Sequence, residues 1–133
     1  MDQIARSGLN MLRTGWWSGW DDLVDSGVAS ERTLRTMEAF LMIARRHGLP
    51  VQWTLFAFMP EVLGGGNPYL SPEALHREQQ FVESVVARFH DVPFLAWDLV
   101  NEPSFDNPER FWETRPNGDA AELAAWNEWL RRR

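Results

Sequence analysis

The stretch Phe94-Leu95-Ala96-Trp97-Asp98-Leu99-Val100-Asn101-Glu102-Pro103 is an apolar run that carries one acid and ends abruptly in polar residues. A continuous apolar run of this length is how a strand of a parallel sheet reads when both of its faces are buried. Asn101 and Glu102 stand where the run stops. Pro103, which has no backbone N–H, closes the strand and opens a loop. Two similar runs precede it, Leu9 to Thr14 and Val51 to Phe58, at intervals of roughly 40 residues, enough for a helical crossover between parallel strands.

The segments between the runs carry helical periodicity with defined ends. Ser30 is placed to cap a helix with apolar positions Leu34, Met37, Phe40, Leu41 and Ala44, and Gly48 and Pro50 stop it. Ser71-Pro72-Glu73 joins a capping serine to a proline at the first helical position. Leu75, Val82, Val85, Val86 and Phe89 are the expected apolar face of that second helix, which Asp91 to Pro93 end. A last helix is expected from Asp119, where Glu122 completes a capping box, with Leu123, Trp126 and Leu130 on one side. Asp2 to Ser7 read as the end of a helix.

The resulting order, (α)βαβαβα, favours parallel strands joined by right-handed crossovers. Helix-to-strand connections are short, Gly48 to Pro50 and Asp91 to Pro93. Strand-to-helix connections are long: Gly15 to Ala29, Met59 to Leu70 and Pro103 to Gly118. Long loops at the carboxyl ends of parallel strands are where α/β proteins place their ligands. A dinucleotide-binding sheet would need a glycine-rich turn directly after the first strand, whereas Gly64 to Gly66 fall late in a loop on which no helix starts, as a flexible turn does. The pattern therefore favours an α/β fold that is part of a TIM (β/α)8 barrel, with parallel strands and outer helices, incomplete at both ends because three strands cannot close a barrel.

The 133 residues include 13 basic ones, all arginine, and neither lysine nor cysteine. That excludes Schiff-base and phosphate-loop lysines, thiol nucleophiles, disulfides, iron–sulfur ligation and cysteine-containing zinc sites. A net charge of −6 argues against nucleic acid as a main partner, and the Arg131-Arg132-Arg133 run is too short to reverse it. No apolar run is long enough to span a bilayer, and residues 1–10 hold no signal-peptide core, so no membrane partner is expected and the compartment is left open. His47, His76 and His90 are scattered without metal spacing, so neither a metal nor another cofactor is expected.

An acid at the carboxyl end of a barrel strand, beside an amide able to bond hydroxyl groups, is placed for catalysis. The same position suits a solvated strand-end acid and a turn-forming asparagine. The surrounding residues add to this. Asn101-Glu102-Pro103 closing a strand that reads Trp97-Asp98-Leu99-Val100 resembles the fourth strand of the clan A glycoside hydrolases, the retaining (β/α)8 barrels that include family 5 cellulases and mannanases. Gly8-Leu9-Asn10-Met11-Leu12-Arg13 resembles the second-strand pattern Gly-x-Asn-x-x-Arg of the same clan, and the distance between the two motifs suits it. The resemblance covers nearly the whole chain, from the end of helix 1 to part of helix 4, and makes residues 1–133 a single partial catalytic barrel domain.

The resemblance implies that Glu102 is the general acid/base, protonating the departing glycosidic oxygen and then deprotonating the water that resolves a glycosyl-enzyme intermediate. It implies that Asn101 bonds the sugar 2-hydroxyl, and that Arg13 holds and ionises the nucleophilic carboxylate; an ordinary structural ion pair is the other role open to Arg13. Two departures stand out. Where cellulase-group members carry histidines, this chain has Phe58-Met59-Pro60 and Ser104. The clan's nucleophile is a glutamate on the seventh strand, and neither Glu61, Asp98 nor Asp106 has a motif-level claim to replace it. The expectation is a hydrolase fragment, roughly the first half of a barrel of about 250 residues, inactive alone and prone to self-association through open sheet edges.

Trp16, Trp17 and Trp20 follow the first strand on the presumed active face, where indoles stack on sugar rings or pack the barrel top. Trp126 and Trp129, on the last helix, are expected in the core. The partner implied is an oligo- or polysaccharide. The alternative to an enzyme is a non-catalytic carbohydrate-binding protein on the same scaffold, and a metal-dependent hydrolase with Glu102 as ligand is disfavoured by the lack of a histidine cluster.

Overall fold

A computed structural model describes residues 1–16, 24–25, 27–56, 72–101 and 120–133. The elements in chain order are α1 (Asp2–Arg6), β1 (Leu12–Gly15), β2 (Val24–Asp25), β3 (Val28–Ala29), α2 (Glu31–Arg46), β4 (Val51–Phe56), α3 (Pro72–Phe89), β5 (Leu95–Val100) and α4 (Ala120–Arg131). The three apolar runs form one open parallel sheet in the order β1-β4-β5. Its register sets Gly15, Thr54 and Asp98 in one row and Arg13, Gln52 and Ala96 in the row two residues earlier, on the same face.

The first strand begins later than its apolar run. Leu9 and Met11 are exposed, and pairing starts where the Leu12 N–H donates to the Pro50 carbonyl at 2.9 Å. Of the second run, Ala57 and Phe58 lie outside the described residues.

Local chemistry sets the ends of α2. Ser30 is extended (φ −63, ψ 149) and its Oγ accepts from the Thr33 N–H, a cap contributing about 1 kcal/mol. At the other end Gly48 adopts φ +67. Its N–H donates to the Arg45 carbonyl and that of Leu49 to the Ala44 carbonyl, the paired bonds that close a helix through a left-handed residue. Met37, Leu41 and Ala44 are buried as the periodicity requires, against Val51, Trp53 and Leu55 of β4 in one cluster. Phe40 meets Trp53 edge to face at 5.5 Å. Each large side chain so removed from water contributes about 1.5–3 kcal/mol.

Helix α3 departs from its expected face. The buried positions are Ala74, Glu78, Phe81, Val85 and Phe89; Leu75 is exposed, and Val82 and Val86 are only half-buried. The reason is Phe81. It is fully buried between Trp16 and Phe56, with ring centroids 5.5 Å and 5.7 Å away, and seating it inward turns Ala74 and Glu78 toward the sheet.

Within the connection expected as loop from Gly15 to Ala29, β2 and β3 pair antiparallel. This hairpin docks on α3: the Ala29 N–H donates to Ser84 Oγ at 2.9 Å, and that hydroxyl donates to the Phe81 carbonyl at 2.7 Å. Two-residue strands carry no alternation, so the sequence offers no strand signal here.

Helix α4 also differs from expectation. Leu123, Trp129 and Leu130 are exposed, so Trp129 is not a core residue; it stacks on Trp126 at 5.3 Å, and the Arg133 guanidinium lies 4.9 Å from its ring. Among the described residues no helix is long and apolar enough to cross a membrane.

Candidate active site at the carboxyl ends of the strands

Backbone pairing carries the site to its position. The Asn101 N–H donates to the Phe56 carbonyl at 2.9 Å, which extends the β4–β5 ladder by one step and fixes Asn101 at the carboxyl end of β5. Glu102, Trp17, Trp20, Trp112, the Phe58-Met59-Pro60 segment and Ser104 lie outside the described residues.

Arg13 and Asn101 come together. Arg13 Nη2 donates to Asn101 Oδ1 at 2.8 Å, across 88 residues of chain. The same guanidinium grips Asp98, with Nε 3.0 Å and Nη2 2.6 Å from Oδ2. Thr54 Oγ1 donates to that oxygen as well, at 2.9 Å. Arg13 therefore does make the ion pair weighed for it from sequence, and its partner is the acid inside the third apolar run. Arg13 retains 43% of its side-chain exposure and Asp98 only 17%, so the pair spans from solvent into a largely enclosed row. Charge-assisted bonds to a carboxylate in such a setting are short and directional.

Gly15 completes the row. A Cβ at this position would press on the Thr54 carbonyl oxygen and come within 2.8 Å of the Thr54 Cβ, so only glycine fits beside the residue that supports Asp98.

Trp16 occupies the helix-facing layer. It is buried, edge to face with Trp53 at 5.1 Å and with Phe81 at 5.5 Å, so it packs the top of the core instead of presenting a ring to solvent. His47 closes α2, with its Nδ1 3.2 Å from Asp2 Oδ1, and His90 Nδ1 lies 3.1 Å from the Ala87 carbonyl at the end of α3.

One further acid was not legible as special. Glu78, on the inner stripe of α3, is buried, its Oε1 has no hydrogen-bond partner among the described residues, and burial pushes its pKa up to about 7. Thr54, Gly15 and Glu78 belong to no motif, and Asp98 stands in the strand before Asn101-Glu102-Pro103 with no role assigned to it from sequence. The available signal was an acid within a buried strand, which must find a partner.

Comparison with solved structures finds matches that cover nearly all of this chain. A GH5_18 protein from Bifidobacterium longum subsp. infantis superposes with a TM-score of 0.67 at 18% identity, over 96% of this chain and 33% of that one. The chain has the fold of one section of a family 5 glycoside hydrolase. A GH5_18 variant from Bifidobacterium longum subsp. longum ATCC 55813, in complex with Manb1-4GlcNAc, gives 0.68 at 18% identity over 96% and 32%. A beta-1,4-D-mannanase from Cryptopygus antarcticus gives 0.60 at 19% identity over 95% and 37%. The chain thus spans about a third of the length of these glycoside hydrolases, less than the half expected from a barrel of about 250 residues. No family model and no curated protein matches the sequence. In this section of the (β/α)8 fold the carboxyl ends of the strands form the ligand face, and that is the end at which Arg13, Asp98 and Asn101 meet.

Proposed function

We propose that this chain is the acid/base side of a retaining glycoside hydrolase acting on β-linked glycosides, with the nucleophilic glutamate outside the 133 residues. The observation that carries the reading is the bond from Arg13 to Asn101 at the end of β5, one residue before Glu102, in a chain with the fold of family 5 enzymes.

In this reading Glu102 protonates the leaving glycosidic oxygen while the nucleophile attacks the anomeric carbon, then removes a proton from the water that hydrolyses the glycosyl-enzyme. Asn101 bonds the 2-hydroxyl, a contact that tightens as the ring becomes oxocarbenium-like. Arg13 gives its Nε and Nη2 to Asp98 and Asn101, and in this reading the same guanidinium also holds the nucleophilic carboxylate. Trp17 and Trp20 are the residues proposed to stack on sugar rings. The mannanase among the similar structures, and the one holding Manb1-4GlcNAc, make β-mannosides the first substrates to assay.

The test compares hydrolysis of β-1,4-manno-oligosaccharides by these 133 residues and by a longer chain that contains them, each with and without Glu102→Gln. The expected result is turnover by the longer chain only, reduced about 10²- to 10⁴-fold by the substitution. Turnover that survives Glu102→Gln overturns the assignment. Saccharide binding without turnover in either unsubstituted protein would make this a non-catalytic carbohydrate-binding scaffold.

A further inference from the structure

We propose that Asp98 is a positioning residue: acting through Arg13, it sets which way the Asn101 side-chain amide faces. The proposal rests on the hydrolase reading for its consequence in catalysis, but its geometry is independent of that reading.

An arginine side chain has donors and no acceptor. Whatever atom of Asn101 meets Arg13 Nη2 at 2.8 Å must therefore be the amide oxygen, and the Nδ2 amino group lies in the same plane on the other side of the Cβ–Cγ axis, away from Arg13. The direction in which Asn101 offers its two N–H donors follows from where the guanidinium sits.

Asp98 decides where that is. A guanidinium on a three-methylene stem with 43% exposure would otherwise sample many rotamers. Two donors of Arg13, Nε and Nη2, converge on the single oxygen Oδ2, which orients the guanidinium plane as well as its distance. Oδ2 is in turn held by Thr54 Oγ1, from a residue with no solvent exposure on the central strand. The sequence of contacts runs from a fully buried hydroxyl to a mostly buried carboxylate, to a half-exposed guanidinium, to an amide at the mouth of the site. Rigidity thus passes from the sheet interior to the residue beside Glu102. A group bonding the sugar 2-hydroxyl in the transition state is effective only if its donor already points there.

Two measurements test this. In the 133-residue chain, nitrogen-15 relaxation of the Asn101 side-chain amide should give an order parameter near the rigid value of about 0.85. Asp98→Ala should lower it below about 0.6, and Thr54→Val, which keeps shape and loses only the hydroxyl, should lower it part of the way. The side-chain amide of Gln79, outside the chain of contacts, should not change. An Asn101 order parameter that stays at the wild-type value in folded Asp98→Ala overturns the proposal. If that variant does not fold, an unchanged value in Thr54→Val does so.

In the active longer enzyme, Asp98→Ala should lower kcat about 10- to 100-fold with KM nearly unchanged on a substrate bearing the 2-hydroxyl, and should scarcely affect the 2-deoxy analogue. Equal losses on both substrates overturn the proposal. Absence of any Glu102-dependent activity removes the hydrolase reading instead, and the relaxation measurement then decides the Asp98 assignment by itself.

Discussion

Arg13 and Asp98 are 85 residues apart in the chain and 2.6 Å apart in the structure, on the two strands that flank β4. The pair reaches across the central strand above Gly15 and Thr54, whose row carries no side chain from β1. Its geometry depends on that clearance, and on the hydroxyl that Thr54 contributes to the same carboxylate oxygen.

Gly15→Ala should destabilise the protein by about 1–3 kcal/mol, the usual range for overpacking a close backbone approach. The added methyl must push on Thr54, so the loss should be accompanied by a change in the Arg13 and Asn101 side-chain resonances. Chemical denaturation together with those spectra checks it; a neutral substitution would mean that the strands separate there without cost.

Glu78 makes stability pH-dependent. Its pKa rises from the ordinary 4.5 to about 7, because burial penalises the carboxylate. The folded state therefore holds the proton more tightly than the unfolded chain. The stability belonging to this group is complete below about pH 4.5 and is lost as pH rises toward 7, by up to about 3 kcal/mol. Glu78→Gln should raise the melting temperature at pH 8 and change it little at pH 5. An equal shift at both pH values would rule out titration of Glu78 as the cause.

Ser84→Ala should release the hairpin from α3. The Ala29 N–H is buried and uses Ser84 Oγ as its acceptor, so its loss should cost about 1–3 kcal/mol. Hydrogen exchange should show the Ala29 amide opening faster while the amides of β4 stay protected. Unaltered exchange at Ala29 would show that the hairpin is held by other contacts.

Phe81→Ala should be among the most damaging core substitutions, at about 3–5 kcal/mol, because the ring fills the space between Trp16 and Phe56 beneath the strand ends. Met37→Ala, on α2, should cost about 2–5 kcal/mol with less effect on Trp16. Tryptophan fluorescence during unfolding separates the two, since the first variant removes the ring that meets Trp16 edge to face.

The elements whose signals are local were legible. Ser30 and Gly48 bracket α2 as their chemistry requires, and the three apolar runs are the three parallel strands. The inner face of α3 was not, because Leu75 and Phe81 lie on different stripes of the helix and only the space between Trp16 and Phe56 turns the phenylalanine's stripe inward. The same holds for Trp129, whose size suggests the core while its position on α4 leaves it exposed beside Trp126.

By itself, the sequence determined the alternation of the three parallel strands with the helices between them and the place of Asn101 at a strand terminus. Those properties follow from periodicity, caps and proline, which act over a few residues. The tertiary structure alone decided that Arg13 faces Asp98 and Asn101, that Glu78 is buried, and that Gly15 has no room for a side chain. Each depends on the register of strands tens of residues apart or on how a helix is turned against them, and no local pattern encodes which side chains then meet.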